Sequence, residues 1–149
     1  MNPDFCDMLS AFNEAGVEYL VVGAYALAAH GLVRATGDID LWVRPTESNA
    51  LRVLAALRKF GAPLGDLTKE DLCTPDIVFQ IGLPPRRIDL LTSIANVDFQ
   101  EAWETRRQTT VAGISFAVLG RDLLVKNKKA TGRLKDAADA EWLENNPES

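Results

Sequence analysis

Two aspartates separated by one residue interrupt an apolar segment of the sequence. Asp38 and Asp40 lie in the segment GDIDLWV, residues 37–43, whose other side chains after Asp38 are apolar. Side chains two positions apart on a strand project to the same face, so the two carboxylates are predicted to point together. A third acid, Asp89, lies inside a second short apolar segment, RRIDLL, residues 86–91. If the two strands are neighbours, three carboxylates converge.

Convergent carboxylates have a chemical use. They repel one another unless a proton or a cation lies between them. Oxygen donors with no cysteine or histidine nearby suit a hard cation, Mg²⁺ above all, and this is the arrangement of two-metal phosphoryl or nucleotidyl transfer. The alternative is that each aspartate only ends a strand or caps a turn. An acid pair in one apolar strand and a third acid in another favour the metal site.

A glycine lies where a predicted strand passes into a predicted helix. Gly23 follows the apolar run VEYLVV, residues 17–22, and precedes the helix-forming segment AYALAAHG. The first free N–H groups of a helix can hold a phosphate, although a glycine at such a turn often serves backbone geometry alone. Because only one short helix separates Gly23 from Asp38, we expect both motifs at the same end of adjacent strands.

The remaining patterns predict the elements that position these residues. The element order is α-β-α-β-α-β-β-α-β-β-α-α, which indicates an α/β (α+β) fold with a mixed, partly antiparallel sheet flanked by helices. Residues 62–75 are predicted to be irregular. Helices are predicted at 3–15, 46–60 and 98–106 and on both sides of Gly132, and strands at 17–22, 38–43, 77–82 and 86–91 and in a hairpin that turns at 112–113.

Length and composition bound the class of protein. A chain of 149 residues predicts one domain, 1–149, with C-terminal helices over 121–145. The sequence has neither a signal peptide pattern nor an apolar run that spans a bilayer, so we expect a cytoplasmic location and no membrane partner. Cys6 and Cys73 indicate neither a disulfide framework nor a zinc site. A net charge of −5 argues against a protein that coats DNA.

Positive charge is concentrated near the C-terminus. Residues 121–135 hold six lysines and arginines against one acid. Such a run usually marks a solvated helix face, and the alternative is a contact with the phosphates of a substrate or with an acceptor. We expect Asp136 and Asp139 to orient these cations. The only histidine, His30, is expected to pack or to cap a helix.

The order of these motifs resembles the nucleotidyltransferase superfamily with the DNA polymerase beta-type catalytic domain. The matching residues are Gly23-Ala24, then Arg34-x-Thr36-x-Asp38-x-Asp40, then Asp89 in a later strand. The small bacterial proteins grouped with AbiEii-type toxins are the most similar members, and the segment KNKKATGRLKDAADAEWL, residues 126–143, resembles their ending. The resemblance covers roughly residues 16–143 as a pattern.

The resemblance implies a role for each matching residue. Asp38 and Asp40 would bind two Mg²⁺ ions, and Asp89 would be the third carboxylate, which helps to activate the attacking hydroxyl. Gly23 and Ala24 would form the turn that holds the triphosphate. Five further residues would complete the nucleotide site, namely Arg34, Thr36, Lys128, Arg133 and Lys135. All of them except Thr36 would contact the phosphates.

The implied activity is the transfer of a nucleoside monophosphate from a nucleoside triphosphate such as ATP to a hydroxyl of a protein, an RNA or a small molecule. Family analogy adds a toxin–antitoxin or defence setting with an antitoxin partner. Ala24 stands where the family usually has glycine or serine, which favours an alternative, a catalytically weak or inactive module that binds nucleotide or a partner protein. The three retained acids oppose that alternative. A metal-dependent phosphohydrolase fits least, since such sites typically add histidines.

Overall fold

A six-stranded sheet forms the centre of the structure, a computed structural model that describes residues 1–34 and 37–147. The elements follow the predicted order. They are α1 (Pro3–Ala15), β1 (Tyr19–Val22), α2 (Gly23–Ala29), β2 (Ile39–Val43), α3 (Glu47–Phe60), β3 (Val78–Ile81), β4 (Ile88–Leu91), α4 (Phe99–Glu104), β5 (Arg107–Val111), β6 (Ile114–Val118), α5 (Arg121–Ala130) and α6 (Leu134–Asn145). A short 3₁₀ turn, Asp71–Cys73, lies in the segment predicted to be irregular.

The strand order is β3-β4-β2-β1-β6-β5. β2 runs antiparallel to β1 and parallel to β4, β1 runs parallel to β6, and the two outer strands pair antiparallel with their neighbours. The predicted mixed, partly antiparallel sheet is therefore confirmed. Because β2 lies between β1 and β4, the carboxyl end of β1 meets the amino ends of β2 and β4 at one edge.

Helices cover both faces of the central strands. All four residues of β1 are buried, and since alternate side chains point to opposite faces, neither face of this strand meets solvent. α1 packs against α3 and β6, α2 packs against β1, β2 and β6, and α5 packs against α6. Full burial of each large aliphatic side chain, such as Leu20 or Leu41, stabilises the fold by roughly 1.5–3 kcal/mol.

Local signals explain where the first long helix begins and ends. The Asn2 side chain accepts a hydrogen bond from the Asp4 N–H at 2.7 Å, and Pro3 occupies the first helical position, where no N–H is needed. Gly16 ends the helix in the left-handed conformation, with φ of 70°. The predicted range of α1 and the observed range are the same.

A buried asparagine fixes α3 to the sheet. The Asn49 side chain accepts from the Glu18 N–H at 2.7 Å and donates to the carbonyls of Glu18 and Arg44. It therefore joins the first turn of α3 to the residue before β1 and the residue after β2. These contacts fix the position of β2 relative to the helix layer.

Most differences from the predicted elements are small. β2 begins at Ile39, so Asp38 lies just before the strand and not within it. The two hairpins and the pair of C-terminal helices separated at Gly132 are present as predicted. His30 follows α2, and its buried ring places Nε2 2.8 Å from the Leu119 carbonyl oxygen, in agreement with a packing and capping role. Among the described residues, no helix has the length and apolar character needed to cross a bilayer.

Candidate active site

Two of the three predicted metal ligands lie side by side on parallel strands. Asp40 of β2 and Asp89 of β4 are register partners, and Asp40 is also the register partner of Val22 at the end of β1. The next residue, Gly23, has φ of +69°, and a Cβ atom there would lie 2.2 Å from Asp40 Oδ2. Glycine is favoured at this position, because a side chain here would have a strained backbone conformation and would displace the Asp40 carboxylate.

The third carboxylate, that of Asp38, lies near the other two because two backbone segments are in close contact. A Cβ atom on Gly37 would lie 1.6 Å from the Pro85 carbonyl oxygen, so the chain before β2 lies directly against the turn before β4. Beside this contact, the Arg87 N–H donates to Asp38 Oδ1 at 3.2 Å. The pattern prediction that the three acids converge is supported by these positions.

An arginine that our sequence analysis did not select lies among the acids. Arg87 Nε donates to Asp89 Oδ1 at 2.7 Å, and Arg87 Nη2 donates to Asp89 Oδ2 at 3.1 Å. The same Nη2 atom lies 3.2 Å from Asp38 Oδ2. The hydrogen bond to Asp89 raises the pKa of Arg87, so the guanidinium is fixed in its charged form. Arg87 lies two residues before Asp89, so period-two spacing predicts that their side chains share a face, but it does not predict the contact with Asp38.

One positive charge does not neutralise this acid cluster. Partial burial raises the pKa of Asp40 to about 6, and the negative charges of Asp89 and Asp38 act in the same direction, while Arg87 opposes them. The local charge is therefore negative when all three acids are ionised, and a bound cation would relieve the repulsion.

The facing residues are basic and come from the C-terminal segment and from Arg34, which follows α2. Lys128 Nζ donates to Asp136 Oδ1 at 3.0 Å and lies 3.4 Å from Asp139 Oδ2. Arg34 Nη2 donates to Asp139 Oδ1 at 2.6 Å. Because the Asp139 side chain is only 3% exposed, this carboxylate acts as a buried anchor for two cations. The contact with Lys128 agrees with our expectation from the sequence, whereas the contact with Arg34 was not predicted.

Asp136 is a second buried anchor. Its Oδ2 accepts from Thr131 Oγ1 and from Arg133 Nε, each at 2.7 Å. Burial alone would raise the pKa of Asp136, but the hydrogen bonds from Thr131 and Lys128, together with the Lys128 charge and the Arg133 hydrogen bond, lower it. The basic residues are therefore held by carboxylates on α6, and the lowered pKa of Asp136 keeps that carboxylate ionised.

The acidic and basic groups border one cavity of about 430 Å³. The Lys135 side chain is exposed there and makes no hydrogen bond or ion pair with another described residue. The predicted Thr36 lies outside the described residues. The cavity is lined by every other predicted site residue, namely Gly23, Ala24, Arg34, Asp38, Asp40, Asp89, Lys128, Arg133 and Lys135, and also by Leu27, Arg87, Asp136 and Asp139.

The donor set suits a hard divalent cation. Three aspartates supply oxygen ligands only, which is the chemistry that Mg²⁺ prefers. Within residues 1–34 and 37–147, no set of three or more His, Cys, Asp or Glu side chains stands ready to hold a metal ion. The Arg87 guanidinium lies against Asp38 and Asp89, so a cation bound to both acids would have a positive charge beside it.

Comparisons with known proteins identify the fold. No protein-family model and no curated protein sequence matches the chain. A crystal structure from Thermotoga maritima, provisionally described as that of a nucleotidyltransferase, is similar with a TM-score of 0.58 and 14% identity. The match covers 95% of this chain and 88% of that one. At this identity the likeness establishes the architecture, a nucleotidyltransferase-like fold.

Proposed function

We propose that this chain is a divalent-metal-dependent nucleotidyltransferase that moves a nucleoside monophosphate from a nucleoside triphosphate to a hydroxyl acceptor. One observation carries the proposal. Three carboxylates and a set of cations border the same cavity, with the Gly23 turn beside them. A metal-bound triphosphate needs both kinds of partner at once, oxygen ligands for the metal and cations for the phosphates.

The acids have the metal-binding role in this proposal. Asp38 and Asp40 would bind two Mg²⁺ ions, with Asp89 as the third carboxylate. When bound, Mg²⁺ would neutralise the charge that develops on the phosphates and lower the pKa of the attacking hydroxyl. The protein supplies a fixed arrangement of these ligands, because β2 and β4 are hydrogen-bonded neighbours in the sheet.

The reaction joins the acceptor oxygen to the α-phosphorus. As that bond forms, the bond from the α-phosphorus to the oxygen that bridges to the β-phosphate breaks, and pyrophosphate leaves with that electron pair. Asp89 is the proposed acceptor of the hydroxyl proton, since it lies beside Asp40 on the neighbouring strand.

The triphosphate is proposed to lie along the basic residues. Lys135 has no counter-charge among the described residues, so a phosphate would be its first partner. Lys128, Arg34 and Arg133 are held in place by Asp136 and Asp139, and preorganised cations of this kind favour the transition-state charge. Gly23 and Ala24 would border the phosphates, and Thr36 stays a prediction from the resemblance.

Two observations favour the alternative of a nucleotide-binding or partner-binding module without transfer. Ala24 offers no hydroxyl to a phosphate, and Arg87 already pairs with two of the three acids. In that case the chain would bind nucleotide but transfer nothing. The acceptor class (protein, RNA or small molecule) and an antitoxin partner are parts of the proposal that rest on the family resemblance. The cytoplasmic location is a further part, and it rests on the sequence patterns alone.

The test is label transfer. Purified protein is incubated with Mg²⁺, a cell extract as the source of acceptors, and each of the four nucleoside triphosphates labelled at the α-phosphate. Asp40→Asn removes a proposed ligand, and Asp66→Asn, on an exposed residue outside the cavity, is the matched control. Label in protein, RNA or a small molecule with wild type and Asp66→Asn, and none with Asp40→Asn, supports nucleotidyl transfer. Nucleotide binding without transfer supports the alternative.

A further inference from the structure

We propose that Arg87 is the resting counter-ion of the metal site: its guanidinium pairs with Asp38 and Asp89 in the metal-free protein, and a divalent cation displaces it toward the phosphates of the nucleotide. This inference rests on the proposed function and adds to it a coupling between metal and triphosphate. It also assigns a role to a residue that neither the sequence patterns nor the comparisons select.

Arg87 contacts every carboxylate oxygen of two proposed metal ligands. Its Nε and Nη2 atoms donate to Asp89 Oδ1 and Oδ2, its backbone N–H donates to Asp38 Oδ1, and Nη2 also lies 3.2 Å from Asp38 Oδ2. A metal ion bonded to both residues would lie against the same oxygens as the guanidinium, and the two positive charges would repel each other. The metal and the guanidinium therefore compete for the same atoms.

The surroundings explain why a cation is needed before a metal binds. The Asp89 side chain is 10% exposed and faces Asp40 in the neighbouring strand. An unpaired carboxylate at such a position is strongly destabilising, because neither water nor another charge compensates it. Arg87 supplies that charge through a bidentate contact, the geometry in which arginine binds carboxylates best.

Arg87 is also able to leave without unfolding the strand. Its side chain is 24% exposed and is attached just before β4, and the backbone hydrogen bond to Asp38 does not involve the guanidinium. The side chain lines the same cavity as Lys128 and Lys135, so a released guanidinium stays beside the proposed phosphate site. Arginine binds phosphate oxygens through the same planar fork.

The other paired cations do not share this position. Lys128 and Arg34 bind the buried Asp139, which belongs to α6 and not to the acid cluster. A metal at the cluster leaves their partners unchanged. Arg87 is the cation whose present partners are also the proposed metal ligands, and for that reason metal binding and triphosphate binding should strengthen each other reciprocally.

The first test measures metal affinity without nucleotide. Mn²⁺ is titrated into the full chain, with free Mn²⁺ followed by electron paramagnetic resonance, for wild type, Arg87→Gln and Arg86→Gln. Arg86 is exposed and adjacent, and its side chain makes no hydrogen bond or ion pair with other described residues, so its variant changes the net charge equally. We expect Arg87→Gln to bind Mn²⁺ about tenfold more tightly than wild type, and Arg86→Gln to match wild type.

A second measurement uses the wild type, so it does not depend on the folding of Arg87→Gln. The Nε–H resonance of Arg87, assigned by comparison with Arg87→Lys, is followed by NMR as Mg²⁺ is added. Loss of the hydrogen bond to Asp89 should shift this resonance and speed its exchange with water. A non-hydrolysable nucleoside triphosphate should lower the Mg²⁺ concentration needed for the change.

The outcomes separate this inference from the proposed function. Equal Mn²⁺ affinities for wild type and Arg87→Gln, with an unchanged Nε–H resonance under saturating Mg²⁺, overturn the displacement and leave the transferase proposal intact. Equal tightening by Arg86→Gln and Arg87→Gln shows a general charge effect and also overturns it. Absence of metal binding in every variant overturns the metal site, and with it both proposals.

Discussion

Asp40 of β2 and Asp89 of β4 face each other across a parallel strand pair, each at the second position of its strand. This placement puts two acids beside each other in a partly buried part of the sheet. Their repulsion is one reason why the pKa of Asp40 is raised to about 6, the larger cause being burial. The repulsion that favours the binding of a cation should therefore also make the free energy of unfolding depend on pH.

We expect Asp40 to destabilise the metal-free protein at neutral pH. Its pKa is about 6 in the folded chain against 3.8 when unperturbed, so the folded state binds more protons between these values and loses stability as pH rises through them. In EDTA, Asp40→Asn should be more stable than wild type by roughly 2–3 kcal/mol at about pH 7, a difference that disappears near pH 4. Urea unfolding at several pH values measures it. A stability difference that is independent of pH would contradict this interpretation.

Gly23 is predicted to be essential to the shape of the acid cluster. In Gly23→Ala the new Cβ would displace Asp40, and Mn²⁺ binding should weaken by about tenfold or more. Gly113→Ala is the matched control, because Gly113 has a similar φ of +78° but no atom within 4 Å of the position that a Cβ would take. Both variants should lose stability, by roughly 1 kcal/mol or more from backbone strain. Equal Mn²⁺ affinity in the two variants would show that the approach of Asp40 to the turn has no role.

Substitutions of Lys128 and Lys135 should distinguish a cation that stabilises the fold from a cation that is available to bind a substrate. Lys128→Met leaves Asp136 and Asp139 without one of their partners and should lower the free energy of unfolding by about 2–3 kcal/mol, somewhat less than a buried pair broken completely. Lys135→Met removes an exposed cation and should change stability by less than about 0.5 kcal/mol. Denaturant unfolding of both variants provides the comparison.

Lys135 should contribute to nucleotide affinity although it contributes little to stability. Removal of this cation should weaken the binding of a fluorescent triphosphate several-fold and should reduce the salt dependence of that binding, because a phosphate contact is lost. Binding of the nucleoside without phosphates should be unchanged. Equal triphosphate affinity for wild type and Lys135→Met would place the triphosphate elsewhere.

The strand patterns predicted much of the fold and part of the candidate site. Alternation predicted that Asp38 and Asp40 point together, and the helix-forming segment after Gly23 predicted the strand–turn–helix unit that brings the turn to Asp40. The adjacency of β2 and β4 was only a condition in that prediction, since strand order depends on packing between segments far apart in the sequence.

Other features of the site could not be predicted from the sequence, because they depend on ion pairs between residues far apart in the chain. Arg34 and Asp139 are separated by 105 residues, and no local pattern reports that one anchors the other. Arg87 was overlooked for a different reason. A positive charge beside an acid in a strand has the usual appearance of a solvated pair, and only the convergence of Asp38 on the same guanidinium distinguishes it.

In the proposed reaction, this site transfers the α-phosphate group together with its nucleoside. The most direct measurement compares ATP labelled at the α-phosphate with ATP labelled at the γ-phosphate, in parallel with the other three α-labelled nucleotides, Mg²⁺ and extract. We expect acceptor labelling from the α position alone, with labelled pyrophosphate released from the γ position, and loss of both signals in Asp40→Asn. Acceptor labelling from the γ position, or no transfer from any nucleotide in extract that supports a known transferase, would contradict it.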